Sequence, residues 1–521
     1  MKTTKNTAKS NTAKKSAKSN GFVGAQSESD GDKTVHLYER IAGEIRSQIE
    51  RRILQPGNRL PSLRKLSRQK GVSISTALQA YMSLEDMGLV EARPQSGYYV
   101  RSRPRALPPE PAIRRFAPTP TEVVNVVSLV EDLINTYQYS DFVPLGAAMP
   151  AAELLPIGKI SKLYASVSRT EMSMIARYEH PSGDAELRRL IALRAMDWGG
   201  TVAPDEVVIT GAATEAINLC LRAVAKSGDT IAVESPGYFG ILRVIEGLGM
   251  KALEIPTDPR SGIALESLEP IMRARAVQAV ALVPNFSNPT GACMTEEAKA
   301  RLATLAAECE IPIIEDDVYG DLYFSDVYGE RRPRPVKAFD RDGWVMLCDS
   351  FSKTVSPGMR VGFVMPGRFF PAVYRLKISA TLASPSLPQR VMARFLQTGG
   401  YEHQMRSLRK ALARQMQKTI EAVGEYFPEG TKVTRPSGGL VVWVESPAGV
   451  DAIALHKAAM QEKISIAPGP VFSKTDAYHH HIRLNCGYPW SDRLENAIRT
   501  LGAIAAELNL EAQKKMTTGR L

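Results

Sequence analysis

The sequence predicts a two-part chain: a small α+β module of three helices and a β-hairpin, then a much larger α/β domain on a mostly parallel sheet. Three observations carry this. The chain is 521 residues long, and at about 100–200 residues per domain that means two to four folding units. Its positive charge is confined to the first quarter. From about residue 141 onward, short apolar strands alternate with amphipathic helices.

The charge separates the two parts. The whole chain carries 66 Lys+Arg and 55 Asp+Glu, a net of +11. Residues 1–120 hold 22 basic and 10 acidic side chains, a net of +12, and residues 121–521 hold 44 and 45, a net of −1. A near-neutral body does not steer an acidic substrate, whereas a basic amino-terminal module suits nucleic acid or an anionic surface. No apolar run approaches the roughly 18 residues of a membrane helix, so no membrane partner is expected. The Lys-rich start lacks the apolar core of a secretory signal. Cys220, Cys293, Cys309, Cys348 and Cys486 show no CxxC spacing, which fits a reducing compartment. The run His479–His481 cannot share one helix face as HExxH does, so no metal is expected.

Residues 1–33 are Lys, Ser, Thr, Asn, Ala and Gly with few large apolar side chains. Such a segment cannot offset its ordering entropy and is read as a disordered tail. In residues 34–103, Leu37, Ile41, Ile45 and Ile49 recur at helical spacing and end at Gln55-Pro56-Gly57. Pro61-Ser62 opens a second helix, with Leu63 and Leu66 inward. After the turn Lys70-Gly71-Val72, Ser73 or Ser75 caps a third helix to about Met87, with Ala77, Leu78, Tyr81 and Leu84 on one side. Leu89–Arg93 and Tyr98–Arg101 then form a hairpin. This order is a winged helix-turn-helix. Such a unit places Ser73, Ser75, Thr76 and Gln79 of the third helix near bases, Arg64, Lys65 and Arg68 near phosphates, and Arg93 and Gln95 of the wing at the backbone or minor groove.

The stretch GNRLPSLRKLSRQKGVSISTALQAYMSLEDMGLVEARPQSGYYV resembles the GntR family of bacterial transcription regulators. Leu60-Pro61-Ser62 with Arg64, Val72-Ser73 with Thr76, Leu84 with Gly88-Leu89, and Gly97 with Val100 carry the resemblance. One position departs from it: the commoner Ser-Arg-x-Thr is Ser73-Ile74-Ser75-Thr76 here.

Residues 104–120 hold six prolines and read as a semi-extended linker, with a connecting helix completing the span to residue 140. Beyond it, EVVIT (206–210), TIAVE (230–234), AVALVP (279–284), IPIIED (311–316) and VMLCDS (345–350) read as strands of the α/β domain, 141–510, with a short tail at 511–521. Neither a P-loop nor a GxGxxG fingerprint is present.

Chemistry concentrates at the expected carboxyl ends of these strands, where open α/β sheets bind ligands. DSFSKTVSPGMRVGF puts Lys353 among small hydroxyl residues, placed for covalent chemistry with a carbonyl, and Arg360 where it can clamp a phosphate. NFSNPTG carries Asn288, IIEDDVYG carries Asp316 and Tyr319, ESPGYFG carries Tyr238, and RYEHPSG carries Tyr178. TGAATEA opens a helix whose free amides make an anion site, and HIRLNCG carries Arg483. Asp317 beside Asp316 reads as a helper or a solvated acid.

In this order the segments resemble the fold-type I pyridoxal phosphate enzymes, the aspartate aminotransferase superfamily, whose fold adds a smaller carboxyl-terminal subdomain. A winged helix fused to such a domain resembles the MocR subgroup of GntR regulators. The resemblance implies pyridoxal 5'-phosphate as cofactor, with Lys353 as its aldimine lysine and Asp316 on the pyridinium nitrogen. It implies Tyr319 and Asn288 on the phenolic oxygen and Tyr238 on the ring face. Ser350, Arg360 and the amides of Ala212 and Ala213 are implied on the phosphate, Tyr178 on the phosphate of a neighbouring subunit, and Arg483 on a substrate carboxylate. The partners it implies are double-stranded promoter DNA with paired half-sites, an amine or amino acid effector, and a second copy in a homodimer. The expected place is the bacterial cytoplasm, on the nucleoid when DNA is bound. A regulator that senses cofactor or amine through Lys353, with at most residual transaminase activity, is the leading expectation. A working aminotransferase with an accessory DNA-binding module is the alternative, and a cofactor-free dimerisation scaffold a third.

Overall fold

The computed structural model describes residues 37–51, 53–55, 57–93, 96–100, 107–118, 120–121, 131, 141–475 and 477–517. The expected tail at 1–33, Gln95 at the wing tip, the first linker residues and nearly all of the connecting helix lie outside the described residues. The chain divides into two compact units, Met1–Pro104 and Arg105–Leu521.

In the first unit, α1 (Leu37–Glu50), α2 (Leu63–Lys70) and α3 (Ile74–Asp86) precede an antiparallel hairpin of β1 (Val90–Arg93) and β2 (Gly97–Val100). Each helix of the pair α2–α3 starts on a serine. Ser62 Oγ accepts from the Lys65 amide at 3.3 Å, and Ser73 Oγ from the Thr76 amide at 3.0 Å, satisfying donors that have no partner within the helix. Gly71 ends α2 at φ 63° and donates its amide to the Ser67 carbonyl. Ile41, Ile45, Leu66, Tyr81, Leu84 and Val100 meet in one core. The Tyr81 hydroxyl donates to the Pro61 carbonyl at 2.7 Å and ties α3 to the approach of α2.

One core assignment changes. Ala77, Ala80, Tyr81 and Leu84 are the buried stripe of α3, whereas Leu78, expected to face inward, is 37% exposed. Spacing explains it: 77, 80, 81 and 84 form an i, i+3, i+4, i+7 face, and residue 78 lies about 100° around from residue 77.

The large sheet of the second unit runs β3-β6-β5-β7-β8-β9-β10-β4, where β3 is Pro120–Thr121, β4 Val208–Thr210, β5 Thr230–Ser235, β6 Lys251–Asp258, β7 Ala279–Leu282, β8 Ile313–Asp316, β9 Val345–Ser350 and β10 Gly362–Met365. The run β6-β5-β7-β8-β9 is parallel throughout. β10, absent from the strands expected, pairs antiparallel with both β9 and β4. Every residue of β4, β7 and β8 is buried, as strands covered on both faces require. The helix α4 (Ala213–Val224) follows β4 directly. Beyond the long helix α5 (Gly400–Tyr426) lies the smaller sheet, β11 (Lys432–Val433), β12 (Val441–Glu445), β13 (Ala467–Pro468) and β14 (His481–Asn485), ordered β11-β12-β14-β13. A last helix, α6, spans Asp492–Thr517, so the tail expected from residue 511 is helical as far as Thr517.

The proline-rich segment also differs from expectation. Residues 107–118 are not a free spacer but a strap on the second unit. The Pro109 carbonyl accepts from the Val433 amide at 2.9 Å, the Pro108 carbonyl from Arg435 at 2.8 Å, and Glu110 from the Arg435 amide at 3.0 Å. Proline removes donors but leaves carbonyls, so a strap of this composition docks where the body supplies N–H groups.

Gly71 has open space around the position of a Cβ, so Gly71→Ala bears only the cost of a left-handed backbone, about 1–2 kcal/mol. Hydrogen exchange of the full-length protein is expected to show faster amide exchange across residues 63–86, with the second unit unchanged.

Candidate functional site

Most of the predicted site residues lie at or just beyond the carboxyl ends of the parallel strands. Asp316 ends β8 and Tyr319 lies on the turn after it; Ser350 ends β9, three residues before Lys353. Tyr238 follows β5, Asn288 lies on the loop after β7, and Arg483 reaches in from β14 of the smaller sheet. Three of these side chains, Arg483, Asn288 and Tyr319, are joined by hydrogen bonds. Arg483 donates to Asn288 Oδ1 at 3.0 Å and to the Gly146 carbonyl, and Asn288 Nδ2 donates to the Tyr319 hydroxyl oxygen at 3.4 Å. Lys353 Nζ donates to the Ala148 carbonyl at 2.8 Å.

Electrostatics couple Lys353 to this set. Burial, then the neighbouring Arg483 and Arg360 cations, push its amine down to about 8, against the pull of Asp316. Burial pushes the Asp316 carboxyl up to about 7; a Val318 amide at 3.4 Å is a weak counterweight. Burial also raises the Tyr319 hydroxyl, which keeps its proton. Tyr238 packs over Gly240, where a Cβ would come within 2.4 Å of the phenol ring.

The turn between β4 and α4 is tightly built. Ala212 adopts φ 112°, a region costly for a residue with a Cβ. Its backbone lies against Gly362 of β10, where a Cβ would stand 2.6 Å away. Thr210 Oγ1 donates to the Ala212 carbonyl at 3.0 Å. The amides that open α4, from Ala213 on, have no partner within the helix. Glu215 accepts from the Gly211 amide, from Lys377 at 2.9 Å and from Thr381 at 3.2 Å.

Asp317 is neither solvated nor free. It is buried, accepts from Asn285 at 2.7 Å and pairs with Arg332, while Asn285 accepts in turn from the buried Lys299 at 2.6 Å. A cavity of about 360 Å³ opens beside it, lined by Arg194, Asp321, Arg332, Asp349 and Tyr401 among others, and Lys353 is not on its wall. Arg360 is exposed, with φ 51° and a 3.4 Å bond to the Pro357 carbonyl. Tyr178 is 88% exposed, so this chain does not bring it into the set.

Three contributors escaped the sequence reading. Ser352 Oγ is buried with no partner among the described residues; its signal was a hydroxyl directly before the lysine. Glu215 carried no signal beyond its place in a helix's first turn. Glu234 is buried, pushed up to about 8, and accepts from the Val283 amide at 2.8 Å and Ser287 at 3.1 Å, fixing the loop that bears Asn288.

In the first unit, Arg64, Lys65 and Arg68 of α2 are exposed, as are Ser73, Ser75 and Gln79 of α3, with Thr76 half-buried. Ser73 Oγ lies 2.7 Å from Ser75 Oγ and 2.8 Å from Thr76 Oγ1, so these hydroxyls are partly engaged with one another. The side chain of Arg93 and all of Gln95 lie outside the described residues.

Residues 134–501 match the family aminotransferase class I and II, and residues 37–100 match the bacterial regulatory proteins, gntR family. The chain is 38% identical over 470 residues to the uncharacterized HTH-type transcriptional regulator YdcR of Escherichia coli (strain K12), covering 90% of this chain and 99% of that protein. It is 28% identical to the 2-aminoadipate transaminase of Thermus thermophilus over 72% of this chain and 93% of that one. The crystal structure of LysN, an alpha-aminoadipate aminotransferase from Thermus thermophilus complexed with N-(5'-phosphopyridoxyl)-L-leucine, superposes with a TM-score of 0.67 at 27% identity, covering 74% of this chain and 95% of that one.

Pyridoxal 5'-phosphate is the cofactor of this domain family, and the residues present fit it. A buried carboxylate with no ion pair among the described residues, a half-buried amine of lowered basicity, a buried Ser352 hydroxyl with no partner among the described residues, and the free amides that open α4 suit a cationic ring, an aldehyde and a phosphate.

The Lys353 shift has a measurable consequence. Its amine takes up a proton below about 8 when folded, against an ordinary 10.5. Between those values the unfolded chain binds more protons, so stability rises with pH across that window. In the cofactor-free full-length protein, wild type is expected to gain stability from pH 8 to 10.5 relative to Lys353→Met, as read by denaturant unfolding at each pH. Parallel pH dependence of the two would refute the shift.

Proposed function

The chain belongs to the MocR subgroup of GntR-family regulators, a gntR-type winged helix-turn-helix joined to an aminotransferase class I and II domain, and from that premise we propose that it is a DNA-binding transcription regulator whose pyridoxal phosphate site senses an amine or amino acid at Lys353. The observation that carries this reading is the pairing of two sites in one chain. One is an exposed cationic helix pair, the other a half-buried Lys353 in the field of the buried Asp316, with Arg483 adjoining.

When bound, pyridoxal phosphate supplies an aldehyde that captures primary amines and a ring that accepts electrons. The protein's own groups set what that capture requires. Lys353, with its proton affinity lowered to about 8, presents a usable fraction of neutral amine near neutral pH and is the covalent attachment point. Asp316 would set a buried carboxylate against the ring nitrogen. Asn288 and Tyr319 would be donors for the phenolic oxygen, and Tyr238 would lie on the ring face. Ser350, Ser352, Arg360 and the amides of Ala212 and Ala213 would hold the phosphate. Arg483, oriented by Asn288 and the Gly146 carbonyl, offers a fork for a carboxylate. Exposed Tyr178 is assigned to the site of a second copy in a homodimer. On DNA, Arg64, Lys65, Arg68 and Arg93 hold phosphates, and Ser73, Ser75, Thr76 and Gln79 face the bases of paired half-sites.

Ligand affects transcription in this reading only through a difference in its affinity for two arrangements of the protein. A second reading, a working aminotransferase, is favoured by one observation: no residue of the cofactor set is missing.

Promoter binding measured with and without cofactor and added amino acid tests the proposal. Wild type is expected to bind selectively and to shift affinity with ligand. Lys353→Ala is expected to lose the absorption band of bound cofactor and that shift. Arg483→Ala is expected to weaken the response to amino acids at least tenfold while sparing amines without a carboxylate. DNA affinity should fall steeply with salt, and cofactor occupancy much less. Sustained turnover of amino donor and keto acid, with no effect on DNA, would favour the enzyme.

A further inference from the structure

The start of α3 carries an apolar feature where the family's commoner pattern has a cation. Ile74, the first residue of the helix, is 51% exposed. Leu78 and Met82, one and two turns on, are 37% and 42% exposed. They continue one line along the helix, because residues four apart share a face. Polar groups adjoin this line: Ser75 and Gln79 are exposed beside it. The hydroxyls of Ser73, Ser75 and Thr76 are mutually engaged at 2.7 and 2.8 Å, which lessens their freedom to follow base edges.

A half-exposed isoleucine at a helix start is not explained by packing, since the core of this unit is closed by Ala77, Ala80, Tyr81 and Leu84 on another side. Nor does the line suit a protein partner. A stable protein interface takes about 800 Å² from each side, and a single line of three side chains on a strongly basic unit does not supply it. Residues 34–103 carry a net +6, which favours a polyanion. The major groove offers one apolar group, the thymine 5-methyl, and aliphatic side chains recognise it by contact.

We propose that Ile74, with Leu78 one turn behind it, reads thymine methyl groups in the major groove, and that sequence preference in this protein turns on that contact where an arginine would otherwise select guanine. This rests on the DNA-binding reading above. Hiding one methyl from water favours the complex by about fourfold, enough to set a preference without dominating affinity. The α2 cations would supply most of the affinity without regard to sequence.

The experiment uses the full-length protein with pyridoxal phosphate bound. Duplexes are selected from a random pool, then each thymine of the preferred site is replaced in turn by deoxyuridine, which keeps the hydrogen-bonding edge and lacks only the methyl. Wild type is expected to lose about fourfold in affinity at one or two positions per half-site. Ile74→Ala is expected to bind the thymine and uracil forms of those positions equally. Ile74→Arg is expected to move the preference there toward guanine. Because Ile74 is exposed, neither substitution empties the core. Indifference of the wild type to uracil everywhere would overturn the proposal. So would an Ile74→Ala protein that keeps the full thymine-over-uracil difference, or an Ile74→Arg protein that keeps the thymine preference. Failure to select any sequence would instead overturn the DNA-binding reading on which the proposal stands.

Discussion

Two carboxylates stand side by side at the end of β8, and both are buried. A dry anion without a partner is costly, so adjacent buried acids must be satisfied in different ways. Asp317 is satisfied within the fold, by Arg332 and by Asn285, itself held by Lys299. Asp316 is left with a weak backbone bond and the field of Lys353. That asymmetry organises the site. One acid anchors the strand end, and the other has no ion pair among the described residues. The low basicity of Lys353 follows from the same dry environment and from Arg483 across the site.

Much of this was legible in the sequence because strand ends are marked twice: an apolar run stops, and polar residues of special geometry begin. Lys353, Asp316, Asn288 and Tyr238 follow that rule, and the structure gathers their segments. What escaped notice lacks such a mark. Ser352 looks like any serine in the sequence, yet its hydroxyl is buried with no partner among the described residues. Glu215 looks like a surface acid of a first helical turn, yet it takes up the Gly211 amide and neutralises Lys377. β10 runs against its neighbours, and direction is invisible in a hydrophobic pattern.

Leu78 and the proline-rich strap depart from expectation for equally physical reasons. Leu78 is apolar, and apolar residues are read as core, but the turn of α3 places it outside. A run of prolines suggests a spacer because it cannot form regular structure. It retains every carbonyl, and residues 107–118 spend theirs on Val433 and Arg435. In both cases composition was read correctly and geometry decided otherwise. Charge needs no geometry to be legible: the excess of +12 falls on residues 1–120, a span that contains the exposed cations of α2.

The contact between Ala212 and Gly362 reaches beyond the turn that it shapes. The alanine holds φ 112°, and the glycine leaves the room that this turn occupies, since a Cβ there would lie 2.6 Å from the alanine backbone. The two positions belong to motifs far apart in the chain, one opening α4 and one starting β10. Glycine at 362 cannot drift alone. A side chain gained at 362 demands a rerouted turn at 212, and the rerouted turn moves the amides that open α4. In inheritance, therefore, the dependence runs one way: position 362 can gain a side chain only after the turn at 212 has been remade, whereas a glycine at 212 would keep the turn as it is.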